Sequence, residues 1–205
     1  TLSSVALASN TLANGTIDLF KVKVAADAKG DVDVIKFTFK ISTTSVSAAS
    51  PLTLKDLTLV DTTESNEVTL NATTSGTFYY TDGGGIVETY LYASGATWGN
   101  STTSRTVSAG AANARTFTLR GTIGGSGTGA SISTQVEGDA DDPVSLNAGM
   151  ITLALAESDA SDDFIWSDWS SATHTTSAGT GGDWTNGYLV SGLPSSNMSA
   201  QTVSK

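Results

Sequence analysis

Two short acidic runs carry the densest chemistry in the chain. Glu137–Pro143 reads EGDADDP and Glu157–Asp163 reads ESDASDD. Closely spaced carboxylates on a loop are the hard oxygen donors that Ca²⁺ takes, which makes Asp139, Asp141, Asp142, Asp159, Asp162 and Asp163 candidate calcium ligands. Neither run follows the twelve-residue EF-hand pattern, and the plainer reading of each is a solvated acidic turn. The runs flank Met150–Ala156, whose apolar alternation predicts a strand. They are therefore expected at opposite ends of that strand rather than in one shared site.

Equipment for catalysis is sparse. A Ser-His-Asp triad would have to use His174, the one histidine, which lies in a Ser/Thr/Gly stretch. Paired carboxylates for glycoside hydrolysis are available only from aspartate-rich loops, where solvation accounts for them. There is no cysteine, so disulfides, thiolate metal sites and cysteine nucleophiles are excluded. The expectation is a protein that is not an enzyme. Trp98, Trp169 and Trp184 are candidates for stacking on sugar rings, against the alternative that Trp169 and Trp184 cover the sandwich edge while Trp166 packs in the core. Asn14, Asn71, Asn100 and Asn197 each open an N-glycosylation pattern, a number that a Ser/Thr-rich chain reaches largely by chance.

Composition narrows the class. The 205 residues are 39% hydrophobic and only 15% charged, with net charge −10. Such a chain is too apolar for disorder and too acidic for nucleic acid, which needs clustered Lys and Arg. Anionic membrane surfaces are disfavoured for the same reason, and no apolar run is long enough to cross a bilayer as a helix. Helical periodicity is lacking. Short β-rich runs alternate with Gly/Ser/Asn/Asp turns, predicting an all-β, antiparallel β-sandwich or jelly roll of about ten strands with little helix.

The most legible element is Thr16–Ile41, TIDLFKVKVAADAKGDVDVIKFTFKI. It reads as two strands joined by a polar turn at Asp27–Asp31, with Val24 opposite Val32 in a hairpin. The apolar parity switches in both arms, from Ile17 and Leu19 to Phe20, Val22 and Val24, and from Val32 and Val34 to Ile35, Phe37, Phe39 and Ile41. A strand pair that bends between two sheets explains this, as does burial of its middle on both faces. Leu52–Asp61 switches parity too, which a bulge near Lys55–Asp56 accounts for. Further strands are expected at Glu67–Leu70, Thr77–Thr81, Ile86–Tyr92, Ala114–Ile123, Ser131–Glu137, Phe164–Trp169, Tyr188–Val190 and Gln201–Val203. Residues 16–205 are expected to form one domain. Residues 1–15 read as a first strand or a donor arm, with Leu2, Val5, Leu7 and Leu12 as its apolar pegs and Asn14–Gly15 as its hinge.

Two segments carry a resemblance. GTIDLFKVKVAADAKGDVDVIKFTFKI is similar to the opening hairpin of β-sandwich modules in surface proteins of candidate-phyla bacteria. DDFIWSDWSSATHTTSAGTGGDWTNGYLVSGLP resembles the closing segment of the same modules. Together they span under a third of the chain, in the right order. The resemblance implies a location and a fold and carries over no catalytic residue. In plan the chain is also similar to camelysin- and TasA-type fibre subunits, secreted jelly rolls whose N-terminal strand completes the sheet of the next subunit. The expected function is thus a non-enzymatic subunit of an extracellular filament or surface layer, secreted and partnered with copies of itself. The alternative is a secreted carbohydrate-binding or adhesive module that recognises cell-surface glycans, with calcium as a possible cofactor.

Overall fold

The computed structural model describes residues 1–45, 51–63, 68–72, 83–93, 105–142, 162–170 and 184–205; for 68–72 and 83–93 it describes the backbone alone. The chain is all-β, an antiparallel sandwich. Twelve strands lie among the described residues: β1 (Leu2–Ser4), β2 (Gly15–Val24), β3 (Val32–Thr44), β4 (Thr53–Asp61), β5 (Val68–Ala72), β6 (Gly83–Ala93), β7 (Arg105–Val107), β8 (Arg115–Gly124), β9 (Ser131–Val136), β10 (Phe164–Ser167), β11 (Trp184–Thr185) and β12 (Gln201–Ser204). One layer runs β1-β2-β8-β4-β5. The other is built around β3, which pairs β6 and β7 along one edge and β9 and β10 along the other. β5 pairs β6, so the hydrogen-bond network passes from one layer into the next.

The expected hairpin between β2 and β3 does not form. β2 pairs β1 and β8, and β3 pairs none of these. The residues after β2 instead form an arch that carries the chain across the sandwich. Both strands are amphipathic, and they bury their apolar faces against each other across the core rather than side by side. Phe20 of β2 and Phe39 of β3 meet edge to face, with ring centroids 6.0 Å apart.

The parity switches have a local cause in each strand. Leu19 is an extra residue on β2 opposite Arg120–Leu119 of β8. Ile35 is an extra residue on β3 opposite Ile165–Trp166 of β10. In β4 the pairing with β8 jumps from Lys55 to Thr58, and Asp56 takes φ 52°. Each extra residue shifts the sequence parity while the apolar side chains before and after it keep facing the same core. On β3 the consequence is large, because Asp33 to Phe39 are all buried. The middle of β3 is therefore covered on both faces.

One face of β3 supplies the main core. Phe37 sits within an aromatic cluster, with centroids 6.2 Å from Phe39, 5.4 Å from Phe117 of β8 and 5.2 Å from Phe164 of β10. Leu12, Phe20, Val22, Leu59, Leu119, Ile132 and Val203 pack into the same core. The opposite face carries a second buried cluster of Ile35, Ile165 and Trp184. The strand expected at Tyr188–Val190 is instead a turn, with Leu189 at φ 56°, and the pairing segment lies earlier, at Trp184–Thr185. The expected strands Thr77–Thr81 and Met150–Ala156 lie outside the described residues.

Replacing Phe37 with Ala empties the middle of the aromatic cluster. Urea denaturation is expected to show a loss of about 3–5 kcal/mol, as for a well-packed buried aromatic ring.

Candidate functional site

Along one edge of β3, β10 and β9 follow each other end to end, and Thr38 is the residue between them. Its N–H donates to the Asp163 carbonyl at 2.8 Å, and its carbonyl accepts from the Glu137 N–H at 2.9 Å. The chain leaving β9 and the chain approaching β10 therefore meet at this point. Gly138, at the exit of β9, lets the segment ahead of β12 pack closely there, because a Cβ would lie 2.5 Å from the Ser196 carbonyl oxygen and 2.6 Å from that of Pro194.

Asp139 ties the meeting point together. It is fully buried. Its Oδ1 accepts the N–H of Asp163 at 2.8 Å and that of Phe164 at 3.5 Å, and its Oδ2 accepts the Gly187 N–H at 2.7 Å. One side chain thus fastens the exit of β9, the start of β10 and the turn after β11. Asn186 adds to the joint by donating its Nδ2 to the Asp141 carbonyl at 2.9 Å.

Electrostatics at the joint follow from this burial. Desolvation pushes the Asp139 carboxyl up to about 6, against the three N–H bonds that hold it down. Asp163, also buried, is pushed up to about 8 by burial and then by the charges on Asp139 and Glu137. On the outward face of β3, Lys36 is fully buried and its Nζ lies 2.8 Å from Asp162 Oδ2.

The two acidic runs therefore meet, contrary to the expectation that they lie apart, because β9 and β10 share one edge of β3. Where they meet, the oxygens of Asp139 face N–H donors and Asp162 Oδ2 faces an ammonium group. Asp141 and Asp142 are exposed, and among the described residues no group of three or more His, Asp or Glu is arranged to hold a metal ion. Asp159 and His174 lie outside the described residues.

The N-terminal arm forms the second feature of interest. β1 pairs antiparallel with β2 in register Leu2↔Val24, Ser3↔Lys23 and Ser4↔Val22, and the Val5 N–H continues the ladder to the Lys21 carbonyl at 2.9 Å. Further along, the Leu12 N–H donates to the Ser204 carbonyl and the Ser204 N–H to the Asn10 carbonyl, both at 2.9 Å. The arm thus closes the seam between β2 and β12 within one chain. Gln201 of β12 reaches into the seam, donating Nε2 to the carbonyls of Val5 at 3.1 Å and Lys21 at 3.3 Å and accepting the Lys21 N–H at 3.3 Å. Of the four expected pegs, Leu12 is fully buried in the main core, and Leu2, Val5 and Leu7 are half-buried. Asn14 accepts the Ser126 N–H at 3.0 Å, and Gly15 adopts φ 106°, a conformation that suits glycine at the expected hinge. Beside the start of the arm lies an apolar cavity of about 460 Å³, lined by Thr1, Val24, Val34, Phe164, Trp166 and Leu193 among others.

Of the expected sugar-stacking residues, Trp184 is buried on the outer face of β3 and does not present its ring, Trp169 is 48% exposed at φ 59°, and Trp98 lies outside the described residues. Trp166 is half-buried, packs against the main core and donates its indole N–H to the Asn186 carbonyl at 2.9 Å. Among the glycosylation patterns, Asn14 and Asn197 are exposed, Asn71 lies on the backbone-only strand β5, and Asn100 is outside the described residues. Sequence reasoning missed Lys36, Gln201 and Asn186. Lys36 had a signal, since it interrupts the apolar run Ile35–Phe37 at the parity switch. The other two had none.

No family model and no curated protein matches the chain. A solved structure described as "AvmM Catalyzes Macrocyclization in Alchivemycin A Biosynthesis" is similar at TM-score 0.31 and 12% identity, over 67% of this chain and 72% of that one. A likeness of that depth carries no argument about activity.

Two outcomes are expected from the joint. Asp139→Ala leaves the buried N–H groups of Asp163 and Gly187 unpaired, at about 1–3 kcal/mol each, so chemical denaturation should show a loss of roughly 2–6 kcal/mol. Asp139→Asn, which keeps one acceptor, should lose less. The second outcome concerns pH. A carboxyl whose pKa is raised on folding takes up a proton as the chain folds, so the stability it contributes is present at low pH and lost as pH rises through the folded value. Stability should therefore fall between the ordinary 3.8 and about 8, the latter set by Asp163, by up to about 1.4 kcal/mol per pH unit for each titrating carboxyl. Thermal melts across this range should show the decline, and Asp163→Asn should flatten its upper part.

Proposed function

We propose that this chain is a non-enzymatic structural module of an extracellular filament or surface layer, and that copies assemble by exchanging the N-terminal arm. The observation that supports this best is the seam between β2 and β12. It is filled by an element joined to the rest through a short stretch ending in a left-handed glycine. An arm that swings out at Asn14–Gly15 leaves the edge of β2 open, and the arm of a second copy can make the same bonds there. Exchange of an identical element costs little, because no new interface has to be invented. Main-chain bonds to β2 supply affinity, and Leu12, with support from Leu2, Val5 and Leu7, supplies the apolar anchor. Burial of Leu12 contributes about 1.5–3 kcal/mol in either arrangement, so the choice between closed monomer and open polymer rests on hinge strain and concentration. On this reading the partner is the chain itself, the module sits at the cell surface, and the acidic surface keeps unassembled copies apart in solution.

Negative-stain microscopy and sedimentation of the full chain and of a chain lacking residues 1–14 test this. The full chain should give fibres or lattices. The truncated chain should stay as single particles, and a synthetic peptide of residues 1–14 should cap it. Normal polymerisation without the arm would rule the proposal out.

A further inference from the structure

The outward face of β3 holds a cation where cations are costly. Lys36 is 0% exposed, its Nζ is 2.8 Å from Asp162 Oδ2, and the Asp162 side chain is 9% exposed. Ile35, Ile165 and Trp184 form the apolar cluster on that face, and Asp33 and Ser167 are buried there as well. Held as an ion pair, the two groups carry the desolvation cost of both charges. Passing one proton from ammonium to carboxylate gives a neutral amine and a neutral acid, the forms that a low-dielectric environment favours. A primary amine and a carboxylic acid held in contact are the two reactants of amide condensation. Fixing them in place removes the entropic part of the barrier.

We infer that Lys36 and Asp162 condense into an intramolecular isopeptide bond, a covalent cross-link between β3 and the start of β10. The Lys36 Nζ lone pair attacks Asp162 Cγ and forms the C–N bond. The Cγ–O bond to the protonated carboxyl oxygen breaks, and that oxygen takes a second proton and leaves as water. In sum, one ammonium and one carboxylate give one amide and one water, with no oxidant, reductant or outside reactant. The departing oxygen takes its second proton from the attacking nitrogen, which sheds it as the amide forms. Asp139 fixes the Asp163 and Phe164 backbone, and so the residue beside it, through the bonds described above. The inference stands apart from strand exchange, since it involves neither the arm nor a second copy.

Mass spectrometry of the purified, denatured full chain tests it. The intact mass should fall one water below that of the sequence, and proteolysis should release a branched peptide joining the segments around Lys36 and Asp162. Lys36→Arg keeps the charge but has no comparable nucleophile, so it should show the full sequence mass. Asp162→Asn should condense with loss of one ammonia in place of water. Should Lys36→Arg fail to fold, the branched peptide from the unmodified chain decides alone. A full sequence mass after prolonged incubation of the folded protein would overturn the inference. So would a water loss that persists in Lys36→Arg, which would place it in a cyclised aspartyl-glycine pair such as Asp82-Gly83.

Discussion

Asp139 stands where one edge of the central strand changes partners. A strand edge can pass from one neighbour to another only if both new chain ends are held, because each leaves backbone groups without a ladder. Thr38 supplies the main-chain half of the solution, bonding β10 on one side and the exit of β9 on the other. Asp139 supplies the rest, since a two-oxygen acceptor can satisfy several N–H groups that point at one spot. The core depends on this arrangement. Phe164 enters the aromatic cluster from β10 and Val136 from β9, so both halves of one wall are anchored at the same joint.

Covering β3 on both faces has a different consequence. A sandwich strand ordinarily gives one face to the core and one to water. Here the second face is buried as well, and the polar residues that a solvated face would carry are buried with it. Asp33, Lys36, Thr38, Asp162 and Ser167 are all inside. Buried polar groups are a source of specificity when paired and of instability when not. A carboxyl held neutral by burial is one response to that environment, and loss of both charges by condensation is another.

Much of the strand layout was legible because alternation reports directly on faces. The three parity switches all correspond to extra residues in the pairing, and the Lys55–Asp56 bulge falls at the break in the sequence. Alternation does not report on neighbours. β2 and β3 are adjacent in sequence, similar in pattern and joined by turn residues, yet they belong to different layers, since an amphipathic strand is equally satisfied beside its partner or across the core from it. The meeting of the two acidic runs was hidden for the same reason: it depends on which strands share an edge of β3, which no local pattern records. Asp139 reads as a loop residue because its role is to accept main-chain N–H groups, and these are the same in every sequence. Gln201 was equally silent, as a polar residue at the start of a short strand whose task is set wholly by the seam it enters.

That seam joins residues far apart along the chain, with Thr11 bridged to Ser204 and Gln201 reaching Lys21 and Val5. Contacts so distant along the chain are expensive to form early, because the whole intervening loop must be ordered first. The seam therefore cannot close until β12 has been made, however long β2 has waited. During that interval the nascent arm is the partner nearest in sequence for this edge of β2. The order of synthesis thus gives this edge a long period of exposure, in which pairing within the chain and pairing between chains compete on nearly equal terms.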